Sequence, residues 1–291
     1  MNKFTGTGVA LVTPFLKNGK TDFDSLGRIV NHVIKGGVEY LVIMGTTGES
    51  VTLTKEEKKD ILKFIGEVGN KRTPVVYGVG GNNTLEAARE LEHIDASMAD
   101  AILSVSPYYN KPSQAGIVQH YKTLSSATKL PIILYNVPGR TGSNLLPQTT
   151  LEIAAKCKNI IGIKEASGNM EQIMYLIQNR NKGFLVISGD DAITMPLIAA
   201  GADGVISVIA NAYPKQFSTM VRLALQGKIV ESRKLHYQLL DLIPLLFAEG
   251  SPSGIKYVLS QMGICQNYFR LPVAPVSKKL EQKINTLIKG I

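Results

Sequence analysis

Apolar residues along this chain come in short, nearly unbroken runs, separated by stretches in which they recur every three to four positions. The runs lie at Val9–Val12, Tyr40–Met44, Pro74–Gly78, Ala101–Val105, Pro131–Tyr135, Ile160–Lys164, Phe184–Ser188 and Gly204–Val208. Runs of this length without polar alternation fit parallel strands covered on both faces. Helical spacing fills the intervals at Asp24–Lys35, Lys55–Val68, Thr84–Ser97, Gly116–Thr128, Thr149–Lys156, Met170–Gln178 and Ile193–Ala200. The strand segments recur at roughly 20 to 30 residues, with helix-length connections. Eight such units predict an α/β fold, a (β/α)8 TIM barrel over residues 1–213, because an open doubly wound sheet usually has fewer strands. From Pro214 to Ile291 only helical patterns continue, broken at Pro244 and at Ser251–Gly254. They predict a helical C-terminal extension over 214–291 and no second α/β domain.

Composition narrows the function classes. The 291 residues are 44% hydrophobic and 19% charged, a globular balance that argues against disorder. A net charge of +9 raises the question of nucleic acid. However, the basic residues alternate with acids, as in Lys55-Glu56-Glu57-Lys58-Lys59-Asp60, and no basic run is interleaved with aromatics. A surface that mildly attracts small anionic substrates is the better expectation. Cys157 and Cys265 give neither a disulfide framework nor metal-ligand spacing, and fit reduced thiols in a cytoplasmic protein. Pro14 soon ends the first apolar run, so no signal peptide is expected. The longest apolar candidate for a membrane span, Ile193 to Ala212, is broken by Asp203 and glycines, so no membrane association is expected.

Candidate chemistry collects where the strands end. In a barrel of this type the loops after the C-terminal strand ends build the site. Gly45-Thr46-Thr47-Gly48-Glu49-Ser50 follows the second strand, Ser106-Pro107-Tyr108-Tyr109-Asn110 the fourth, and Asn136 to Gly142 the fifth. Lys164 ends the sixth, Gly189-Asp190-Asp191 follows the seventh, and Ile206 lies in the eighth. A lysine at the rim of an apolar pocket loses the solvation of its ammonium form, and a neutral amine beside a carbonyl substrate forms a Schiff base. Alone, such a lysine is more often a solvated loop residue. Glycines around Thr46 and Thr47 let backbone N–H groups and two hydroxyls turn toward a carboxylate, although a plain strand-to-helix turn reads the same. Arg140 offers a planar fork for a second carboxylate, or is a surface cation. Tyr135 ends a strand, where its phenol reaches the barrel mouth or merely rims the core. Their common address on one face favours chemistry.

The motifs GTTGES (Gly45–Ser50), SPYYNKP (Ser106–Pro112), YNVPGRTG (Tyr135–Gly142), IKEASG (Ile163–Gly168), SGDD (Ser188–Asp191) and GVISV (Gly204–Val208) together resemble the dihydrodipicolinate synthase family of pyruvate-dependent class I aldolases. The resemblance covers essentially the whole chain. It implies condensation of pyruvate with L-aspartate 4-semialdehyde in lysine and diaminopimelate biosynthesis, without metal or organic cofactor. It further implies that Lys164 forms the imine and Tyr135 transfers protons, relayed by Thr46 and by a Tyr109 that reaches across a subunit interface. Thr47 and its amides would bind the pyruvate carboxylate, with Ile206 and Gly189 bordering the substrate, and Arg140 would meet the semialdehyde carboxylate. A homotetramer built from dimers is implied, although a dimer would also complete the Tyr109 relay. In relatives inhibited by lysine the effector site matches Ser50, Val51, Asn82, Glu86 and Tyr108; here Lys55 and Lys58 stand nearby and should repel a cationic effector. Sibling families, N-acetylneuraminate lyase and the 2-keto-3-deoxy sugar acid aldolases, share the lysine and tyrosine. The paired Thr46-Thr47 and the Arg140-Thr141-Gly142 stretch favour the synthase. A non-enzymatic anion-binding barrel would leave Lys164, Tyr135 and Arg140 without a shared purpose.

Overall fold

In the computed structural model, which describes residues 2–69 and 73–291, eight parallel strands close into a barrel in chain order. They are β1 (Gly6–Ala10), β2 (Tyr40–Ile43), β3 (Val75–Gly80), β4 (Ala101–Val105), β5 (Ile132–Asn136), β6 (Ile160–Glu165), β7 (Leu185–Ser188) and β8 (Gly204–Ser207). Each is followed by its helix: α1 (Phe23–Lys35), α2 (Lys55–Gly69), α3 (Thr84–Glu92), α4 (Gln114–Ser126), α5 (Pro147–Lys156), α6 (Met170–Asn179), α7 (Thr194–Ala199) and α8 (Pro214–Leu225). Beyond them lie α9 (Ile229–Leu240), α10 (Ser253–Gln261) and α11 (Lys278–Ile288). The barrel and its C-terminal helices agree with the sequence pattern. The helix α8, which follows the expected boundary before Pro214, packs on β1, β8 and α1 in the outer ring.

The strands are apolar on both faces because alternate residues serve two cores. Ala10, Tyr40, Val42, Leu103, Ile133 and Ile206 turn inward and fill the barrel. Val9, Leu41, Ile43, Ile102, Ile132 and Val205 turn outward against the helices. Tyr40 occupies much of the interior, edge-on to Phe4 at 5.6 Å, with its hydroxyl donating to the Val205 carbonyl at 3.3 Å. Burial, helped by the nearby Glu39 and Asp203 carboxylates, pushes this phenol far above its ordinary pKa, so it stays a donor.

That large ring explains where the sequence reading slipped. β1 starts at Gly6, three residues before the expected Val9, because Gly6 and Gly8 look like a turn. A Cβ on Gly8 would lie 2.2 Å from the Tyr40 ring, so only glycine lets the strand pass. At the other extreme, α3 ends at Glu92 and not at Ser97. The Asp95 carboxylate accepts the Ser97 N–H at 2.8 Å and closes a turn of its own.

Between β5 and β6 the pairing shifts by one residue. Ile132 pairs with Ile160, but Ile133 pairs with Gly162. Ile161 is the extra residue, and beyond it Ile163 faces the outer core while Lys164 faces the interior. Helix starts near the strands' C-terminal ends are capped locally: Asp22, Asn83, Ser113 and Asn169 each accept a backbone N–H of the following turn. Such caps contribute about 1 kcal/mol each and fix where each loop hands over to its helix.

One buried group ties stability to pH. His120 of α4 is buried, and its Nδ1 lies 2.9 Å from the Thr84 hydroxyl at the start of α3. Burial lowers its pKa from 6.5 to about 4. Between those values the unfolded chain holds a proton that the folded chain refuses, so stability present above pH 6.5 is lost as pH falls toward 4. The loss amounts to about 3 kcal/mol for this group. A His120→Gln variant should therefore lose less thermal stability than the parent between pH 7 and pH 4. Calorimetric midpoints that fall equally in both proteins would contradict this.

Candidate active site

The register that follows the bulge sets Tyr135 of β5 beside Lys164 of β6. Register partners in a parallel pair point to the same side, so both side chains enter the barrel. Lys164 is only 5% exposed, and its Nζ lies 4.3 Å from the centroid of the Tyr135 ring. Among the described residues no carboxylate lies within ion-pair distance of this amine, which stays open toward a cavity of about 560 Å³. The volume suits a small organic substrate. Thr46, Thr47, Tyr135, Arg140, Lys164 and Gly189 all line it. Six of the residues singled out in the sequence are thus brought together.

The wall opposite the lysine comes from the turn after β2, where Thr46–Gly48 forms one turn of 3-10 helix. Thr13 Oγ1 donates to the Gly48 carbonyl at 2.7 Å and pins the turn to the loop after β1. Among the described residues neither Thr46 nor Thr47 makes a side-chain hydrogen bond, so both hydroxyls remain available. Arg140 sits in the helical turn Pro138–Thr141, which Gly142 ends at φ +68°. Its guanidinium is exposed and meets no carboxylate among the described residues, so its fork is free for an anion. Gly189 makes room for the lysine: a Cβ there would lie 3.0 Å from Lys164 Cε and 2.6 Å from Ala166 Cβ. After it, Asp191 accepts the Val208 and Ile209 N–H groups at 3.0 and 2.9 Å. Burial pushes Asp191 up to about 6, against the pull of those hydrogen bonds.

A polar network stiffens the site from outside the barrel. Asn136 and Glu165, the next register pair, point away from the cavity. The buried Glu165 carboxylate accepts from Asn136 Nδ2 at 3.1 Å, Gln172 Nε2 at 2.9 Å and the Ser167 N–H at 2.8 Å. Asn136 also donates to Asn144 Oδ1 at 2.8 Å and accepts the Leu145 N–H at 2.9 Å. The loop that carries Arg140 is therefore anchored at both ends on β5 and β6.

Two expected residues fall elsewhere. Ile206 is buried inside the barrel core, and Val208, two positions on, lines the cavity. Tyr109 is 87% exposed at φ +67° and lines neither this cavity nor the one beside it. Sequence reading gave no site role to Asp190, nor to Asp241, Phe247 and Ser251, which bring the C-terminal extension over the mouth. Asp190 stood in the SGDD motif; the other three carried no periodicity signal. A second cavity of about 310 Å³ adjoins the first across Thr46, Tyr135 and Arg140. Ser50, Val51, Lys58 and Tyr108 line it; Asn82, Glu86 and Lys55 do not. No cluster of three potential metal ligands occurs among the described residues, and none of their helices is long and apolar enough to cross a membrane.

Comparison with known proteins agrees with this geometry. The model of the dihydrodipicolinate synthetase family matches residues 3–291. The 4-hydroxy-tetrahydrodipicolinate synthase of Flavobacterium psychrophilum is 53% identical over 291 residues, covering 100% of this chain and 99% of its own. That of Parabacteroides distasonis is 49% identical, over 98% of this chain and 96% of its own. The crystal structure of the Thermotoga maritima dihydrodipicolinate synthase superposes with a TM-score of 0.96 at 40% identity, over 99% of this chain and 98% of that one. With a family match from end to end and a site assembled on the same barrel, the chain belongs to the dihydrodipicolinate synthetase family.

Proposed function

We propose that this chain is a 4-hydroxy-tetrahydrodipicolinate synthase, condensing pyruvate with L-aspartate 4-semialdehyde on Lys164. The observation that carries the reading is the unpaired, buried amine of Lys164 against the Tyr135 ring, with a hydroxyl pair on one side and a free guanidinium at the mouth. Once it has given up its proton, the Lys164 amine adds to the pyruvate ketone, and loss of water leaves a protonated imine. The ring face 4.3 Å from that nitrogen favours a cation there. The iminium withdraws electrons, a methyl proton leaves, and the resulting enamine attacks the aldehyde carbon. Tyr135 moves protons through Thr46 as general acid and base. The substrate's own amino group then displaces Lys164 by transimination and closes the ring. The iminium itself is the electron sink, so the reaction calls for no metal or organic cofactor.

Thr47 and the amides of its turn receive the pyruvate carboxylate, and Arg140 receives that of the semialdehyde. Tyr109 is exposed and lines neither cavity, which supports a role in the relay of a neighbouring subunit and an assembly of two dimers in a homotetramer. The same reading puts the enzyme in the cytoplasm, where Cys157 and Cys265 stay reduced. Lys58 on the wall of the second cavity disfavours a cationic effector, although Glu90 on that wall offsets part of its field.

The decisive assay is consumption of pyruvate that depends on aspartate semialdehyde, without added metal; no turnover would overturn the assignment. Lys164→Ala should abolish borohydride trapping of pyruvate and lower kcat by roughly a thousandfold or more; retained trapping would move the imine to another lysine. Arg140→Ala should cost about 10- to 100-fold in kcat/KM for the aldehyde while leaving pyruvate trapping intact. An equal loss of both would assign Arg140 to the fold or the pyruvate pocket. Initial rates should be insensitive to micromolar lysine, and inhibition in that range would refute the repulsion argument.

A further inference from the structure

The turn that carries Thr46 and Thr47 is tied down from the far end of the sequence. Its last residue, Glu49, is buried and adopts φ +51°, ψ +34°, a left-handed conformation that a residue with a side chain takes up only when its surroundings hold it there. The Glu49 carboxylate accepts from Lys256 Nζ at 2.8 Å, across 207 residues of sequence, and from the Arg270 backbone N–H at 3.3 Å. Lys256, on α10, is fully buried, with its ammonium 4.5 Å from the centroids of both Phe15 and Phe269. The Arg270 guanidinium lies 4.6 Å from the Phe15 ring and donates to the Thr52 carbonyl at 2.8 Å and to the Gly19 carbonyl at 2.7 Å. It also forks onto the Glu57 carboxylate at the start of α2. The turn and the chain leaving it are thus gripped by two cations of the C-terminal segment.

Stability alone does not account for this pair. Removing two charges from water costs about as much as their attraction returns, and apolar pairs of the same volume often serve a fold equally well. What a buried ion pair adds is one defined position, because the hydrogen bond fails if either partner moves. The turn's other hydrogen bonds are mostly local: N–H bonds to the Gly45 and Thr46 carbonyls and the Thr52 N–H and hydroxyl on the Glu49 carbonyl, with the single hydroxyl of Thr13 reaching it from the loop after β1. Burial draws Lys256 below the ordinary lysine range and Glu49 pushes it back, so the ammonium depends on the carboxylate it holds. None of Glu49, Lys256 and Arg270 lines the cavity.

We propose that the buried Lys256–Glu49 ion pair, backed by Arg270, is a positioning device for the pyruvate-carboxylate site. It sets the Thr46–Thr47 turn against Lys164, so Lys256 and Arg270 govern affinity for pyruvate from outside the cavity. The proposal rests on the synthase reading above for its substrate. Its test is the paired replacement Glu49→Gln with Lys256→Met in the full-length protein, which removes both charges and keeps both stems. The expected result is a melting temperature within a few degrees of the parent, a pyruvate KM raised about tenfold or more, and a much smaller change in the aldehyde KM. Hydrogen exchange over residues 45–52 should quicken in the same variant. A folded variant with unchanged pyruvate KM and unchanged exchange overturns the proposal. If the paired variant does not fold, Glu49→Gln alone should raise the pyruvate KM several-fold, and no rise overturns it equally. A parent protein that fails to trap pyruvate would sink the synthase reading, while the exchange measurement would still score the clamp.

Discussion

The site depends on one extra residue in β6. β6 begins in step with β5 at the Ile132–Ile160 pair, and an uninterrupted ladder would have paired Tyr135 with Ile163 and turned Lys164 outward, toward the helices. The bulge at Ile161 reverses the parity, so that Ile163 joins the outer core and Lys164 enters the barrel beside Tyr135. Gly162 makes the irregularity tolerable, since a Cβ there would lie 2.7 Å from Leu185. Geometry of the backbone, not the identity of the lysine, decides that an amine faces substrate.

The same register explains how a single strand end holds an amine and a carboxyl group in two different settings. Lys164, inward, has no ion-pair partner among the described residues, and Glu165, outward, has its acceptors filled by Asn136, Gln172 and Ser167. A buried carboxylate left unsatisfied would cost several kcal/mol, so the outward position demands a complete network. That network is what keeps β5, β6 and the Arg140 loop in one frame. The inward position leaves its amine on the wall of the cavity, where a substrate can reach it. Rigidity outside and vacancy of bonding inside are two faces of one strand.

Much of this was legible in the chain. β4 runs over Ala101–Val105 as the apolar pattern predicts, and the motif ends placed Thr46, Thr47, Tyr135, Arg140, Lys164 and Gly189 on one face. What escaped were features that depend on contacts across the barrel. Gly6 and Gly8 hid the start of β1, because their reason for being there is the ring of Tyr40. The bulge is invisible in Ile160-Ile161-Gly162-Ile163, where every position is apolar or glycine whichever way it faces. Helical periodicity marked the C-terminal extension but gave no direction for Asp241, Phe247 or Ser251. Lys256 carried a faint signal, a lone charge within Gly254-Ile255-Lys256-Tyr257-Val258-Leu259, whose meaning appears only once Glu49 is found beside it.

The Glu49–Lys256 contact also bears on the order in which the molecule can be finished. A ribosome makes the β2 turn early and the lysine that completes it more than two hundred residues later. Until α10 emerges and docks, the Glu49 carboxylate has no cation to accompany it into the interior, and burying it alone is prohibitive. Contacts of such long sequence separation form late, after shorter loops have closed. The nascent barrel therefore waits, its substrate-binding turn among the first parts synthesised and among the last to set. A chain interrupted before Lys256 has every strand of the barrel and still no settled place for Thr46 and Thr47.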